Sequence, residues 1–165
     1  MTRNALLTVV AVLALLAQSG RGLSAQTVDP DGWKFQGTIN DYTDPASPVG
    51  AWHITGSWSV HIKGASGKAD VTANIAMIRP GSGVSPHTHH VLLKNATVTT
   101  TATGWIMEGE PTITLNGGAV LAGSTVTVEV SGGAAVLPSN VKFTFQGDAA
   151  GHFTSASIDG IVAVD

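Results

Sequence analysis

AWHITGSWSVHIKGASGKADVTANIAMI, residues 51–78, carries the clearest structural signal in the chain. In its first half Trp52, Ile54, Trp58, Val60 and Ile62 hold the even positions. His53, Thr55, Ser57, Ser59, His61 and Lys63 hold the odd ones. Apolar and polar residues alternate with a period of two, at which successive β-strand side chains point to opposite faces. GASGK (64–68) supplies turn residues, after which Val71, Ala73, Ile75 and Met77 resume the alternation. Two such runs around a short Gly/Ser link predict an antiparallel hairpin with one apolar and one polar face.

The pattern repeats outward from there. HVLLKNATVTTTA, TGWIMEGE and PTITLNGGAVLAG follow, with Asn116-Gly117 as a tight-turn signal. Val126, Val128 and Val130 share one face of TVTVEV; Val141, Phe143 and Phe145 share one face of VKFTFQ. GDAAGHF (147–153) reads as a short break, and SIDGIVAV closes the chain. TDPASPVG (43–50), RPGSGVSP (79–86) and SGGAAVLPSN (131–140) read as loops by their Gly, Pro and Ser content. Neither a strong helical period past the N-terminal segment nor a repeat, linker or second domain is visible. The expectation is an all-β chain, a single antiparallel β-barrel or sandwich of about 8–10 strands.

The N-terminus reads differently. Arg3 precedes an apolar run of 13 residues, Ala5 to Ala17, and then the polar, small-residue stretch QSGRGLSAQ. This predicts a signal peptide over residues 1–25. The run is shorter than the roughly 20 residues a membrane-spanning helix needs. Residues 26–165 would then be one secreted or periplasmic domain with no stable membrane insertion after cleavage, and 26–32 a loose arm. Without Arg3 and Arg21, six basic residues face eleven acidic ones, a net charge of −5. No basic cluster survives, which excludes nucleic acid as a partner and disfavours anionic membrane surfaces. The chain has no cysteine, so its stability must come from packing alone.

GSGVSPHTHHVLL (81–93) holds three of the six histidines within four residues. If a strand begins at His87, then His87 and His89 share a face, with bases roughly 6–7 Å apart. Their nitrogens could bracket one metal ion at about 2.0–2.1 Å each. Val91 and Leu93 continue that face into the core. His90 falls on the opposite face with Leu92 and Lys94, either supporting the ligands from behind or meeting solvent. His152 is the expected third ligand. Glu108, on the face of Ile106, is a further expected ligand, whereas Glu110 and Glu129 read as solvated. This donor set suits a divalent transition metal: zinc, copper, iron, manganese or nickel. A pH-sensitive rim is the competing reading of the same histidines. His53 and His61 lie on the polar face of their strand.

Gly81, five residues, then His87-Thr88-His89 resembles the first motif of the cupin family. WIMEGEPTITLNGGAVLAGSTVTV (105–128) is similar to the cupin stretch in which a Glu-Gly turn joins two strands. VLPSNVKFTF (136–145) is similar to the proline turn and strand that follow. The resemblance covers roughly residues 75–152 and implies a small β-barrel holding a metal by three histidines and a glutamate. The pattern's glutamate falls at Leu93 and Lys94 here, and its late histidine near Lys142. Only His87 and His89 carry over by motif; His152 and Glu108 rest on the reading of the residues. ITGSW (54–58) is similar to the Gly-x-Trp opening of lipocalins and avidins, secreted barrels for small ligands, and Gly50-Ala51-Trp52 repeats it.

Three functions fit these residues. One is a cupin-like metalloenzyme acting on a small molecule, its ion a Lewis acid or oxygen activator. Another is a non-catalytic small-ligand barrel with Trp52, Trp58 and Trp105 lining the pocket. The third is a structural envelope protein. The chain has no Gly-x-Ser-x-Gly elbow and no phosphate-cradling glycine loop. Asn95-Ala96-Thr97 fits a glycosylation acceptor.

Overall fold

The computed structural model describes residues 32–43, 51–79, 86–132, 138–153 and 157–163. The expected signal peptide, Gly81 and most of the three expected loops lie outside the described residues. The strands are β1 (Trp33–Tyr42), β2 (His53–Lys63), β3 (Lys68–Ile78), β4 (His87–Thr100) and β5 (Gly104–Gly109). They continue with β6 (Thr112–Leu115), β7 (Ala119–Leu121), β8 (Thr125–Ser131), β9 (Asn140–Gln146) and β10 (Ile158–Val162). A six-residue helix, α1 (Asp148–Phe153), links β9 to β10.

The pairing runs β3-β2-β1-β10-β9-β8-β5-β4, and a further β3–β4 ladder joins the two ends. Eight strands therefore close into an antiparallel barrel, which decides between barrel and sandwich. The β6–β7 hairpin hangs from the first half of β4 through Leu92↔Thr112 and His89↔Leu115, while the second half of β4 pairs with β5. β4 can serve both partners because it is long and irregular. The β3–β4 register shifts between Ala69 and Val71. Asn95, opposite that step, takes the left-handed conformation with φ 55°. Asp70 holds the irregularity by accepting from the Asn95 backbone N–H at 2.9 Å and from Lys63 Nζ at 2.8 Å.

Period-two alternation places the core as the sequence predicts. Ile54, Trp58, Val60 and Ile62 of β2 turn inward, with Val71, Ala73, Ile75 and Met77 of β3. The valines of β8 and Val141, Phe143 and Phe145 of β9 complete the interior. An eight-stranded barrel has an interior just wide enough for side chains to fill or for one small ligand. Trp58 shows how tightly this one is filled. Its indole N–H donates to the Ile161 carbonyl at 3.2 Å, reaching from β2 across β1 to β10. It crosses at Gly37, where a Cβ would stand 2.9 Å from the indole nitrogen, so only glycine fits.

The Asn116-Gly117 turn forms as expected, with φ 49° and 73°. The stretch 147–153 is not the short break expected from its sequence but a helical turn. Gly147 at φ 70° starts it, and the backbone N–H of Ala149 donates to the buried Ser124 Oγ at 3.0 Å. Ala149 and Phe153, four residues apart, share the buried face. Among the described residues no helix is long and apolar enough to cross a membrane.

Candidate metal centre

β4 begins at His87, so His87 and His89 point into the barrel while Thr88 and His90 point out. Two ladders hold this phase. On one side Met77 pairs with His87 and Ile75 with His89. On the other, the turn Asn116 clamps Thr88. Its N–H donates to the Thr88 carbonyl at 2.8 Å, and its Oδ1 accepts from the Thr88 N–H at 2.9 Å. The strand start that carries both histidines is thus bonded on both edges. α1 lies at the same end and delivers His152, with Phe153 buried beneath it.

The three imidazoles converge. Their ligating nitrogens all lie within 4.8 Å of one another. The ring centroids of His87 and His89 are 5.0 Å apart, those of His87 and His152 5.4 Å, and those of His89 and His152 4.7 Å. Trp52 meets His87 edge-on at 5.1 Å, and Phe153 meets His89 at 4.9 Å. The walls are aromatic and the contents are nitrogen.

The protonation pattern follows from the partners. His89 Nδ1 lies 3.1 Å from the Thr114 carbonyl, which can only accept, so Nδ1 carries the proton. Its Nε2 is then a bare lone pair facing into the cluster, the tautomer a metal ligand needs. His152 Nε2 sits 3.0 Å from it and donates across that gap when no ion is present. His87 Nε2 is buried and has no hydrogen-bond partner. Burial, with His152 and His87 close by, pushes the His89 pKa down to about 4. Burial and then His87 lower that of His152 as well. Both shifts favour the neutral, metal-ready form.

The other residues singled out by sequence are placed elsewhere. Glu108 is corrected: it is exposed and accepts from Thr127 Oγ1 at 3.4 Å. Met107 takes the inward place on β5, fully buried, and alternation then turns Glu108 out. Glu108 also pairs with Thr97, ten residues along β4 from His87. His90 gives no support to the cluster. It is exposed on the outer face, where its Nδ1 meets Asn74 Oδ1 at 2.8 Å. The three tryptophans do not meet. Trp52 belongs to the histidine end, and Trp58 lies midway beside Gly37 and Ala73. Trp105 packs at the other end on Trp33 and Phe35 at 5.6 and 5.2 Å.

Sequence reasoning did not find Ser124, which anchors α1, nor the Thr114 carbonyl, which sets the His89 tautomer. Neither leaves a local signal, since one is a lone serine and the other a backbone atom. No protein-family model, curated protein or solved structure matches the chain.

Proposed function

We propose that the chain is a secreted or periplasmic metal-binding β-barrel in which His87, His89 and His152 hold one divalent transition ion. The observation that carries this reading is the buried, unpartnered Nε2 of His87 beside the Nε2–Nε2 approach of His89 and His152. An unsatisfied buried polar atom costs about 1–3 kcal/mol. A cation among the three nitrogens satisfies all of them at once. The spacing suits an ion. Nitrogens at about 2.0–2.1 Å from a tetrahedral centre stand roughly 3.3 Å apart, close to the His89–His152 separation. A bound ion would supply Lewis-acid or oxygen-activating chemistry to a small molecule at a coordination position the histidines leave open.

The likeness to cupins then lies in the ligand pair His87-x-His89 at a strand start. The strand order is that of a meander with one hanging hairpin, whereas cupins are jelly rolls of two Greek keys. The separation of Trp52, Trp58 and Trp105 along the barrel favours the histidine reading over a tryptophan-lined ligand pocket.

Metal content tests the proposal. The protein, purified without an affinity tag, should carry a near-stoichiometric transition metal by mass spectrometry, and His87→Ala/His89→Ala should carry none. A folded wild-type protein that is metal-free and takes up none of added zinc, copper, iron, manganese or nickel would sink it.

A further inference from the structure

We propose that Met77 is a fourth ligand of this centre and that the ion it takes is copper, in particular Cu(I). The inference rests on the three-histidine site proposed above, and replaces its divalent ion and open position with monovalent copper and the thioether.

Met77 is the inward residue of β3 directly opposite His87 on β4, and on its other side it pairs with Ile54 of β2. Directly opposed residues have Cβ atoms about 4.5–5.5 Å apart, within reach of a long side chain. β3 runs between β2 and β4, and Trp52 immediately precedes β2. The edge-on contact of Trp52 with His87 at 5.1 Å therefore spans the end of β3, at the level of Met77. Met77 is 1% exposed, so its sulfur is committed to the interior. Its inward neighbours Ile54 and Ile75 offer no donor atom, so among these residues its thioether is the one soft donor on the strands that face His87.

The donor set separates the metals. Zinc, manganese, nickel and non-haem iron sites are built mainly from imidazole, carboxylate, thiolate and water. A thioether adds little for them, but it is a soft ligand that selects Cu(I). Three neutral imidazoles and a neutral sulfur also suit a monovalent ion in an apolar pocket, because little charge is left to be solvated. Met107, the other methionine of the core, lies on β5 opposite Val98 and Val128 and away from the histidines. It provides an internal control.

The experiment measures Cu(I) affinity by anaerobic competition with a chromophoric chelator, and zinc affinity in parallel, for the wild type, Met77→Leu and Met107→Leu. Leucine keeps the volume and removes only the sulfur. Circular dichroism verifies that each variant is folded. Met77→Leu should weaken Cu(I) binding about tenfold or more while zinc affinity stays within about twofold, in line with the loss of a tuning ligand. Met107→Leu should match the wild type for both ions. Copper-edge X-ray absorption of the Cu(I) protein should show a sulfur scatterer that Met77→Leu lacks. Equal Cu(I) affinity in wild type and Met77→Leu, or the absence of sulfur from the wild-type spectrum, would overturn the Met77 assignment. A wild type that binds zinc but not Cu(I) would overturn the copper assignment. A wild type that binds neither ion would remove the metal site itself, a separate failure visible before any variant is made.

Discussion

The two ends of the barrel are built from the same strands by the same alternation, yet they hold different contents. At one end Trp33, Phe35 and Trp105 pack ring on ring, with centroids 5.2 to 6.3 Å apart. At the other, Trp52 and Phe153 wall a cluster of three imidazoles. The aromatic end closes the barrel by burying apolar surface. The histidine end fills its interior with imidazole nitrogens, one of them unsatisfied. What separates the ends is an unmet hydrogen-bonding demand: aromatic carbon needs no further partner, whereas a buried imidazole nitrogen does.

The largest effect should come from Phe153→Ala. Phe153 is fully buried, stacks on Phe145 at 4.5 Å and supports the His89 ring. Its truncation should cost about 3–5 kcal/mol in urea unfolding and weaken metal uptake. Trp105→Ala at the other end, where the side chain is half-buried, should cost less and leave metal content unchanged. Equal metal loss from both would break the division between the ends.

Acid should act on the histidine end next. His89 is held near pKa 4 when folded, against an unfolded value near 6.5. Between these values the unfolded chain binds a proton that the folded one refuses. The stability of the metal-free protein should therefore be full above about pH 6.5, fall as pH drops towards 4, and level off below that. The loss from this one group is on the order of 3 kcal/mol. Chemical denaturation at stepped pH checks it, and His89→Leu should remove most of the slope. A slope undiminished in His89→Leu would place the acid sensitivity elsewhere.

Ser124→Ala tests the same division by loosening α1 without touching any of the three histidines. Removing the buried acceptor of the Ala149 N–H should cost about 1–2 kcal/mol and lower metal affinity through His152, while hydrogen exchange at the aromatic end stays as it was. The smallest effect should be that of Glu108→Gln. The carboxylate is exposed on the outer face, so stability should move by no more than about 0.5 kcal/mol and metal content not at all. Metal loss in Glu108→Gln would return that residue to the site.

How far the residues alone could lead depends on the range of each property. Whether a side chain faces in or out is a local matter, because strand geometry repeats every two residues. Trp52 to Ile62, Val71 to Met77, Val126 to Val130 and Val141 to Phe145 could all be assigned from their neighbours, as could the shared inward face of His87, His89, Val91 and Leu93. The same rule misled at Glu108, where a short strand with Ile106 and Met107 side by side offers two phases. Its register against Val128, a contact between distant segments, chose Met107. A one-residue step reverses every face of a strand, and nothing local prevents it.

Neighbouring residues alone were enough to read an all-β chain, the faces of its long strands, the Asn116-Gly117 turn and the shared inward face of His87 and His89. Each follows from the conformational preference of a few consecutive residues. Closure of the sheet between β3 and β4, the coiling of 147–153 into a helix anchored on Ser124, and the meeting of His152 with His89 across 63 residues of chain emerge only in three dimensions. Those are long-range pairings. They are selected by the burial of a whole interior at once, a quantity no short window of sequence contains.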